Sequence, residues 1–278
     1  RFIEYIKKDD FLQMIYADQV PFKASAVVHM GACSSTTERD ADYLWMNNYL
    51  YTCRLADWAL RNQVRFIYAS SAATYGDGTK GFSDDDALIP GLRPINMYGY
   101  SKHVFDLWVL KQQAEKKVAG IKFFNVFGPN EYHKGDMASV IFKSFNQIRE
   151  TGRVRLFKSY RKEYGNGEQV RDFVYVKDCV DILWWLLEHV EVNGIFNLGT
   201  GKARSWNDLV RAVFAAMGMK PEVEYIDMPP GLSGQYQYFT EAKMDKLRAT
   251  GCPLAFRSLE DAVRDYVANY LQKSDPRL

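Results

Sequence analysis

Arg65-Phe66-Ile67-Tyr68-Ala69-Ser70-Ser71-Ala72-Ala73-Thr74-Tyr75-Gly76 opens as a short apolar run and closes on hydroxyls and a glycine. That is how a buried strand empties into a turn at the edge of a sheet. Two other stretches have the same form. Ala26-Val27-Val28-His29-Met30 runs into Gly31-Ala32-Cys33-Ser34, and Ile121-Lys122-Phe123-Phe124-Asn125-Val126 runs into Phe127-Gly128-Pro129. Residues 37–62, 97–118, 137–151, 177–189 and 205–217 have helical length and apolar periodicity, and 193–199 reads as a further strand. The alternation predicts an α/β chain with parallel βαβ units. Ligands of such sheets sit beyond the carboxyl ends of the strands, so the loops at 31–34, 70–71 and 125–129 are expected to converge on a site.

Composition agrees. A chain of 278 residues with 47% hydrophobic and 25% charged residues can bury a sizeable core and is neither disordered nor a disulfide scaffold. A formal charge of +2 provides no field for gripping a nucleic acid backbone. Cys33, Cys53, Cys179 and Cys252 form no C-x-x-C pair and have no histidine at ligand spacing, so neither a metal site nor a stapled secreted fold is expected, and a reducing cytosol fits. The greasy run at 182–187 lies between Asp181 and Glu188, is too short to cross a bilayer, and reads as a buried helix. After residue 199 the elements shorten and Pro221, Pro229, Pro230, Gly231 and Gly234 punctuate them, predicting a smaller C-terminal lobe. Residues 161–169, charged and carrying Gly165 and Gly167, read as an exposed insertion or flexible hairpin.

Tyr98-Gly99-Tyr100-Ser101-Lys102 places a phenol and an ammonium at i and i+4, on one face of a helix. A tyrosine is a poor base at neutral pH unless a nearby cation favours its phenolate, and Lys102 offers one. The spacing alone is equally that of an ordinary surface pair. Context decides: Ser71, at the end of a predicted strand, is placed to hydrogen-bond a reacting oxygen, and serine, tyrosine and lysine together make a proton-handling set.

The order of segments resembles the extended short-chain dehydrogenase/reductase family. Ser70-Ser71-Ala72-Ala73-Thr74-Tyr75-Gly76, the Tyr98-x-x-x-Lys102 pair and strand-end Asn125 come first. Arg171-Asp172-Phe173-Val174-Tyr175-Val176-Lys177-Asp178 and Phe196-Asn197-Leu198-Gly199-Thr200-Gly201 follow. Within the family, nucleotide-sugar epimerases are matched by residues 31–37, by 124–129 continuing to His133-Lys134-Gly135-Asp136-Met137-Ala138-Ser139-Val140, and by Gly234-Gln235-Tyr236-Gln237. The resemblance implies a Rossmann-type doubly wound parallel sheet at 1–126 and 171–198, with a substrate lobe at 127–170 and 199–278. The family's opening strand and G-x-x-G-x-x-G turn do not occur here, and about 45 residues are expected to precede the first one.

What the resemblance implies for the site is specific. NADP would lie along Lys8, Met30, Gly31, Ala32, Cys33, Ser34, Asn47, Lys102, Val126 and Lys134, with backbone N–H groups of the 30–34 loop facing it. An ADP-sugar would contact Asn125, Asp136, Lys143, Phe157, Lys158, Ser159, Tyr160, Arg171 and Tyr236. Tyr98 and Lys134 would be the two proton-transfer groups of an epimerase that transiently oxidises its substrate. Lys102 would hold the nicotinamide ribose and lower the Tyr98 pKa, and Ser71 would orient the reacting oxygen. Arg171 suits bidentate phosphate recognition, against the alternative of an ion pair with Asp172 or Asp178. Where the pattern has an acidic residue, a serine and a histidine, this chain has Met30, Asp136 and Lys143; the extra carboxylate calls for neutralisation by Lys134 or Lys143. A 4,6-dehydratase would carry an Asp-Glu pair at Ala72-Ala73, and a 4-epimerase has no need of Lys134. A non-catalytic member of the family, the reading from another class, would not need the full Ser71, Tyr98 and Lys102 set. A homo-oligomer is implied, with Trp184-Trp185 and residues 43–46 as core or subunit contact.

Overall fold

The structure, a computed structural model, describes residues 4–229, 236–253 and 255–275. Its helices and strands run α1 (Lys8–Tyr16), β1 (Ala26–His29), α2 (Ala41–Leu44), a π-helical stretch Trp45–Leu50, α3 (Tyr51–Arg61), β2 (Arg65–Ser71), α4 (Met97–Lys111), β3 (Val118–Phe123), β4 (Asn125–Phe127), α5 (Val140–Thr151), β5 (Val154–Phe157), β6 (Val170–Arg171), β7 (Phe173–Tyr175), α6 (Val176–Glu188), β8 (Gly194–Leu198), β9 (Arg204–Ser205), α7 (Trp206–Ala216), β10 (Val223–Ile226), α8 (Asp245–Arg248) and α9 (Leu259–Tyr266). The main sheet has the order β1-β2-β3-β8, with β1 and β2 parallel from Ala26 opposite Arg65 to His29 opposite Tyr68. Its helices flank it, giving the α/β fold expected from the alternation of elements, of the Rossmann type that the family resemblance implies.

Two compact units share the chain: residues 1–76, 85–122 and 185–196 form the first, and 77–84, 123–184 and 197–278 the second. The first unit's core is Leu55, Trp58, Phe66, Tyr68, Phe105, Val109, Val118 and Ile195 with their neighbours. The second's is built on Phe127, Phe145, Leu156, Tyr175, Val210, Phe214, Val263 and Tyr266. In the second unit β4 runs parallel to β7, β5 parallel to β10, and β6 antiparallel to β9.

Several boundaries differ from those expected, each for a local reason. The helix expected from 37 begins at Ala41, because Glu38 Oε1 takes the N–H groups of Arg39 and Asp40 while Asp40 caps Tyr43 N at 2.9 Å. The helix expected to reach 118 ends at Lys111: Gln113 adopts φ 53° and buried Val118 and Ala119 already belong to β3. The strand expected over 121–126 breaks at Phe124, and Asn125 N turns to Asp172 O. The run at 182–187 is amphipathic: Ile182 and Leu186 are buried, whereas Trp184 is 61% exposed. Residues 161–169 hold no hairpin. They are exposed at 161–163, 165–166 and 168, as expected, and are held where Asn207 donates to Asn166 O at 3.0 Å and to Glu168, with Gly167 and Gln169 buried.

Candidate active site

In the first unit the phenol, ammonium and hydroxyl singled out in the sequence come together. Asn96 caps α4 by accepting from Gly99 N at 2.7 Å, which fixes where the helix starts and therefore where Tyr98 stands. A Cβ on Gly99 would lie 2.7 Å from Ala73 O, so only glycine lets this turn of helix approach the loop after β2. The approach brings the half-buried Tyr98 into a side-chain hydrogen bond with Ser71, whose Oγ also accepts from Ala73 N at 3.1 Å. Lys102, one turn on, is buried and donates from Nζ to Ala69 O at 2.9 Å.

Electrostatics correct one expectation. Burial lowers Lys102 to about 8, against the raising influence of Asp106. Tyr98 is not depressed by Lys102: burial raises its pKa, and the Ser71 hydrogen bond offsets this only in part. Tyr98 therefore stands protonated at neutral pH, poised first as a donor.

A second layer holds this set. Asp106, two turns beyond Tyr98 on the same face, accepts from Tyr68 Oη at 2.9 Å and Ser70 Oγ at 2.8 Å, and forms an ion pair with Lys122 in which both side chains are fully buried. Lys122 Nζ also donates to Thr74 Oγ1 at 2.9 Å, and Thr74 Oγ1 donates to Ser71 O at 2.8 Å. α4, β2 and β3 are thus tied together around the residue that carries the Ser71 hydroxyl.

The loop after β1 is held in a similar way. Asn48, 1% exposed, accepts from Cys33 N at 2.9 Å and donates from Nδ2 to Cys33 O at 2.9 Å and to Ser101 Oγ at 3.0 Å. One amide thereby ties the loop to α4. The sequence points to Asn47 on this helix; its neighbour does the holding, and adjacency to Asn47 is the signal that could have found it. The Cys33 N–H is consequently already used and does not face a ligand. Lys8 and Asn47, both expected along the dinucleotide, meet at 2.6 Å. Met30 is 36% exposed, and a Cβ on Gly31 would meet nothing within 4 Å, so the backbone edge of the loop is open to a flat, extended ligand. The open glycine edge, the Lys8–Asn47 pair and the Lys102 ammonium fit a nicotinamide dinucleotide.

His29, last residue of β1, is buried and neutral. Its Nε2 lies 2.9 Å from Thr52 Oγ1, whose proton goes to Asn48 O at 2.6 Å, so Nε2 carries the hydrogen. Burial, with the Lys102 charge adding to it, pulls its pKa from 6.5 to about 4. A depressed folded-state pKa means that the unfolded chain binds the proton first as pH falls. This contribution to stability is complete above about pH 6.5 and is lost between there and about pH 4, amounting to about 3 kcal/mol. Urea unfolding at pH 7 and pH 4 should show His29→Gln losing about 3 kcal/mol less across that interval than the wild type; equal losses would remove His29 from the acid response.

The second unit gathers most of the residues expected on the sugar nucleotide. Arg171 is 7% exposed and makes no ion pair among the described residues. It donates to Val170 O at 2.9 Å and to Gln237 O, and its guanidinium lies 5.3 Å from the Tyr236 ring and 5.6 Å from Trp206. The ion-pair alternative fails because Asp172 is engaged by Thr200, Gly201 and Ala242, and Asp178 by Arg257. Burial lowers the Arg171 pKa. Tyr236 Oη accepts from Trp206 Nε1 at 2.8 Å, and Phe157 meets the Tyr236 ring edge-on. Gly234 and Gln235 of the same motif lie outside the described residues. Lys158 and Tyr160 both bind Asp227, at 3.2 and 3.0 Å, and Ser159 N donates to Asn166. Asn125 is exposed at the start of β4, with Val126 beside it. Lys134 and Asp136 are exposed in the segment after β4, and Lys143 Nζ donates to the Asp136 carbonyl, not to its carboxylate, at 2.5 Å. Among the described residues no group of three or more His, Cys, Asp or Glu could hold a metal ion, and no helix is long and apolar enough to cross a membrane.

Comparison with known proteins gives these placements a context. A model of the NAD dependent epimerase/dehydratase family matches residues 10–199. An ADP-L-glycero-D-manno-heptose-6-epimerase of Nitratidesulfovibrio vulgaris is 57% identical over 278 residues, all of this chain and 86% of that protein. The crystal structure of the Helicobacter pylori ADP-L-glycero-D-manno-heptose-6-epimerase superposes with a TM-score of 0.77 at 26% identity, covering 95% of this chain and 77% of that one. The Thermus thermophilus UDP-glucose 4-epimerase in complex with NAD gives 0.71 at 25% identity over 94% and 81%.

Proposed function

Because the chain belongs to the NAD dependent epimerase/dehydratase family, we propose that it inverts C6 of ADP-D-glycero-D-manno-heptose to give ADP-L-glycero-D-manno-heptose, a step of lipopolysaccharide inner-core heptose precursor synthesis. The observation that carries the reading is the contact of Tyr98 with Ser71 at the end of β2, in a chain so close over its whole length to a relative of that name.

The C6 hydrogen of such a sugar is not acidic, so direct deprotonation is not available. A bound nicotinamide dinucleotide supplies a hydride acceptor and donor for this chemistry. The chain's own groups then manage the C6 oxygen and its proton. Ser71 Oγ orients the oxygen, and Tyr98 Oη gives or takes the hydroxyl proton on one face. Lys134, exposed and without an ion pair among the described residues, serves the opposite orientation. Lys102 keeps a positive charge beside the reacting edge at neutral pH, since its pKa of about 8 leaves it largely protonated. Arg171, buried with no carboxylate partner among the described residues, offers its remaining N–H groups to a diphosphate.

NADP as the dinucleotide is part of the proposal, with Lys8 as the 2′-phosphate contact, as are an ADP-sugar substrate and a homo-oligomer working in the cytosol. The test is incubation with ADP-D-glycero-D-manno-heptose and NADP, with the C6 configuration followed by NMR. Conversion to an equilibrium mixture of the epimers without net cofactor reduction is expected, and Lys134→Ala should slow it by about 10²-fold or more, the scale of one proton-transfer group. No conversion would move the substrate to another nucleotide sugar. Wild-type turnover in Lys134→Ala would remove that lysine from the reaction.

A further inference from the structure

Lys134 stands on a stretch of chain with little regular structure. Between the end of β4 and the start of α5 there is one 3-10 turn, Gly135–Met137, and residues 133–137 are all exposed. An exposed lysine on such a segment would have no fixed position unless something closed the segment beneath it.

Glu131 does so. Its side chain points inward and the residue is 5% exposed. Oε2 accepts from Ser139 N at 2.6 Å, Oε1 accepts from Ser139 Oγ at 2.6 Å, and Gly128 N approaches Oε1 at 3.5 Å. Its backbone carbonyl accepts from Lys134 N at 3.0 Å. One residue thus holds both ends of the 128–139 segment and the backbone of the lysine between them. Ser139 relays the hold into the helix: its hydroxyl proton goes to Glu131 while its oxygen caps α5 by accepting from Phe142 N at 3.2 Å. The carboxylate also sits at a helix N-terminus, where negative charge is favoured. No cation pairs with Glu131 among the described residues; the donors that meet its oxygens come from Ser139 and, at longer range, Gly128, and the Tyr266 phenol of α9 also faces its charge. The Tyr266 phenol, buried in the second unit's core, is pushed up by burial and by the neighbouring Glu131 charge. A residue present only to fill space there would be apolar, because burying a carboxylate is costly unless donors meet it.

We propose that Glu131 is a positioning residue that latches the 128–139 segment and so sets where Lys134 is presented to the substrate. The proposal rests on the reading of Lys134 as the second proton-transfer group. Proton transfer tolerates little misplacement, and a shift of about 1 Å in a catalytic group can cost about 10²-fold.

The experiment is a double-mutant cycle on C6 epimerisation with E131Q, K134A and the double variant. Glutamine keeps the shape but sets an amide donor against the donors of Ser139. E131Q should lower kcat by about tenfold to 10²-fold with a much smaller change in KM. On the K134A background it should cost nothing further, because it acts through that lysine. Hydrogen exchange should quicken at the amides of 129–139 and not elsewhere. S139A, which removes one of the donors, should act in the same direction with a smaller effect, and it serves if E131Q folds poorly. Equal losses from E131Q in the presence and absence of Lys134 would show a general structural role and overturn the proposal. Wild-type turnover in E131Q beside a slow K134A would overturn it alone, leaving the role of Lys134 intact. Wild-type turnover in K134A would remove the Lys134 reading and this proposal with it.

Discussion

Tyr98→Phe is expected to slow C6 epimerisation by about 10²–10⁴-fold while leaving dinucleotide binding and the fold unchanged. The substitution removes one oxygen. Tyr98 is the side chain that α4 brings onto Ser71. Phenylalanine keeps the ring packing, so any loss reports the proton at Oη. Lys102 adds a pH dependence with a defined sign. Its pKa of about 8 means that the positive charge beside the reacting edge fades as pH rises through that value, so wild-type turnover should fall on the alkaline side of about pH 8. The measurements are the NMR assay of C6 configuration, a pH profile between about 6 and 9.5, and dinucleotide binding by fluorescence. Turnover of Tyr98→Phe within about threefold of wild type would take Tyr98 out of the reaction.

The i, i+4 spacing of Tyr98 and Lys102 carried the first half of that argument from the sequence alone, because helical geometry leaves the two side chains no other relation. Ser71 was legible for a similar reason: a hydroxyl directly after a buried apolar run has to lie at a strand end. What surrounds these residues was not legible. Asp106 continues the same face by one more turn, yet nothing local says that it meets Lys122, sixteen residues on and in another strand. A lysine inside a run as apolar as Ile121–Val126 was a hint that a buried partner exists, without saying which. Asn48 was hidden by its neighbour, since two adjacent asparagines on a helix face different ways and only the fold decides which one meets the Cys33 backbone. The end of α4 was misplaced because Gln113 takes a left-handed conformation that carries no glycine to announce it. The Arg171 alternative had the opposite character. Sequence neighbours suggested an ion pair with Asp172, but Asp172 lies in the break between β6 and β7 and is occupied by the turn at Thr200 and Gly201.

The catalytic face of α4 hangs on a buried ion pair, and removing half of it should be the most damaging single change to stability in the first unit. Asp106→Ala leaves the Lys122 ammonium fully buried without its counter-charge and deprives Tyr68 Oη and Ser70 Oγ of their acceptor. Breaking one partner of a buried pair costs about 3–5 kcal/mol, a large share of the 5–15 kcal/mol typical of a folded domain. Much of that cost is the penalty on the stranded lysine, not the worth of the pair. Asp106→Leu/Lys122→Met together should therefore recover a substantial part of the loss, because neither residue then carries an unpaired charge. Recovery of stability should not bring full activity with it. Thr74 loses its contact with the Lys122 ammonium in that double variant, and the hold on the Ser71 carbonyl is weakened. Urea unfolding of the single and double variants separates the two effects from the NMR assay of turnover. A single variant within about 1 kcal/mol of wild type would show that water or a neighbouring group already screens Lys122, and would end the claim that this pair holds the site.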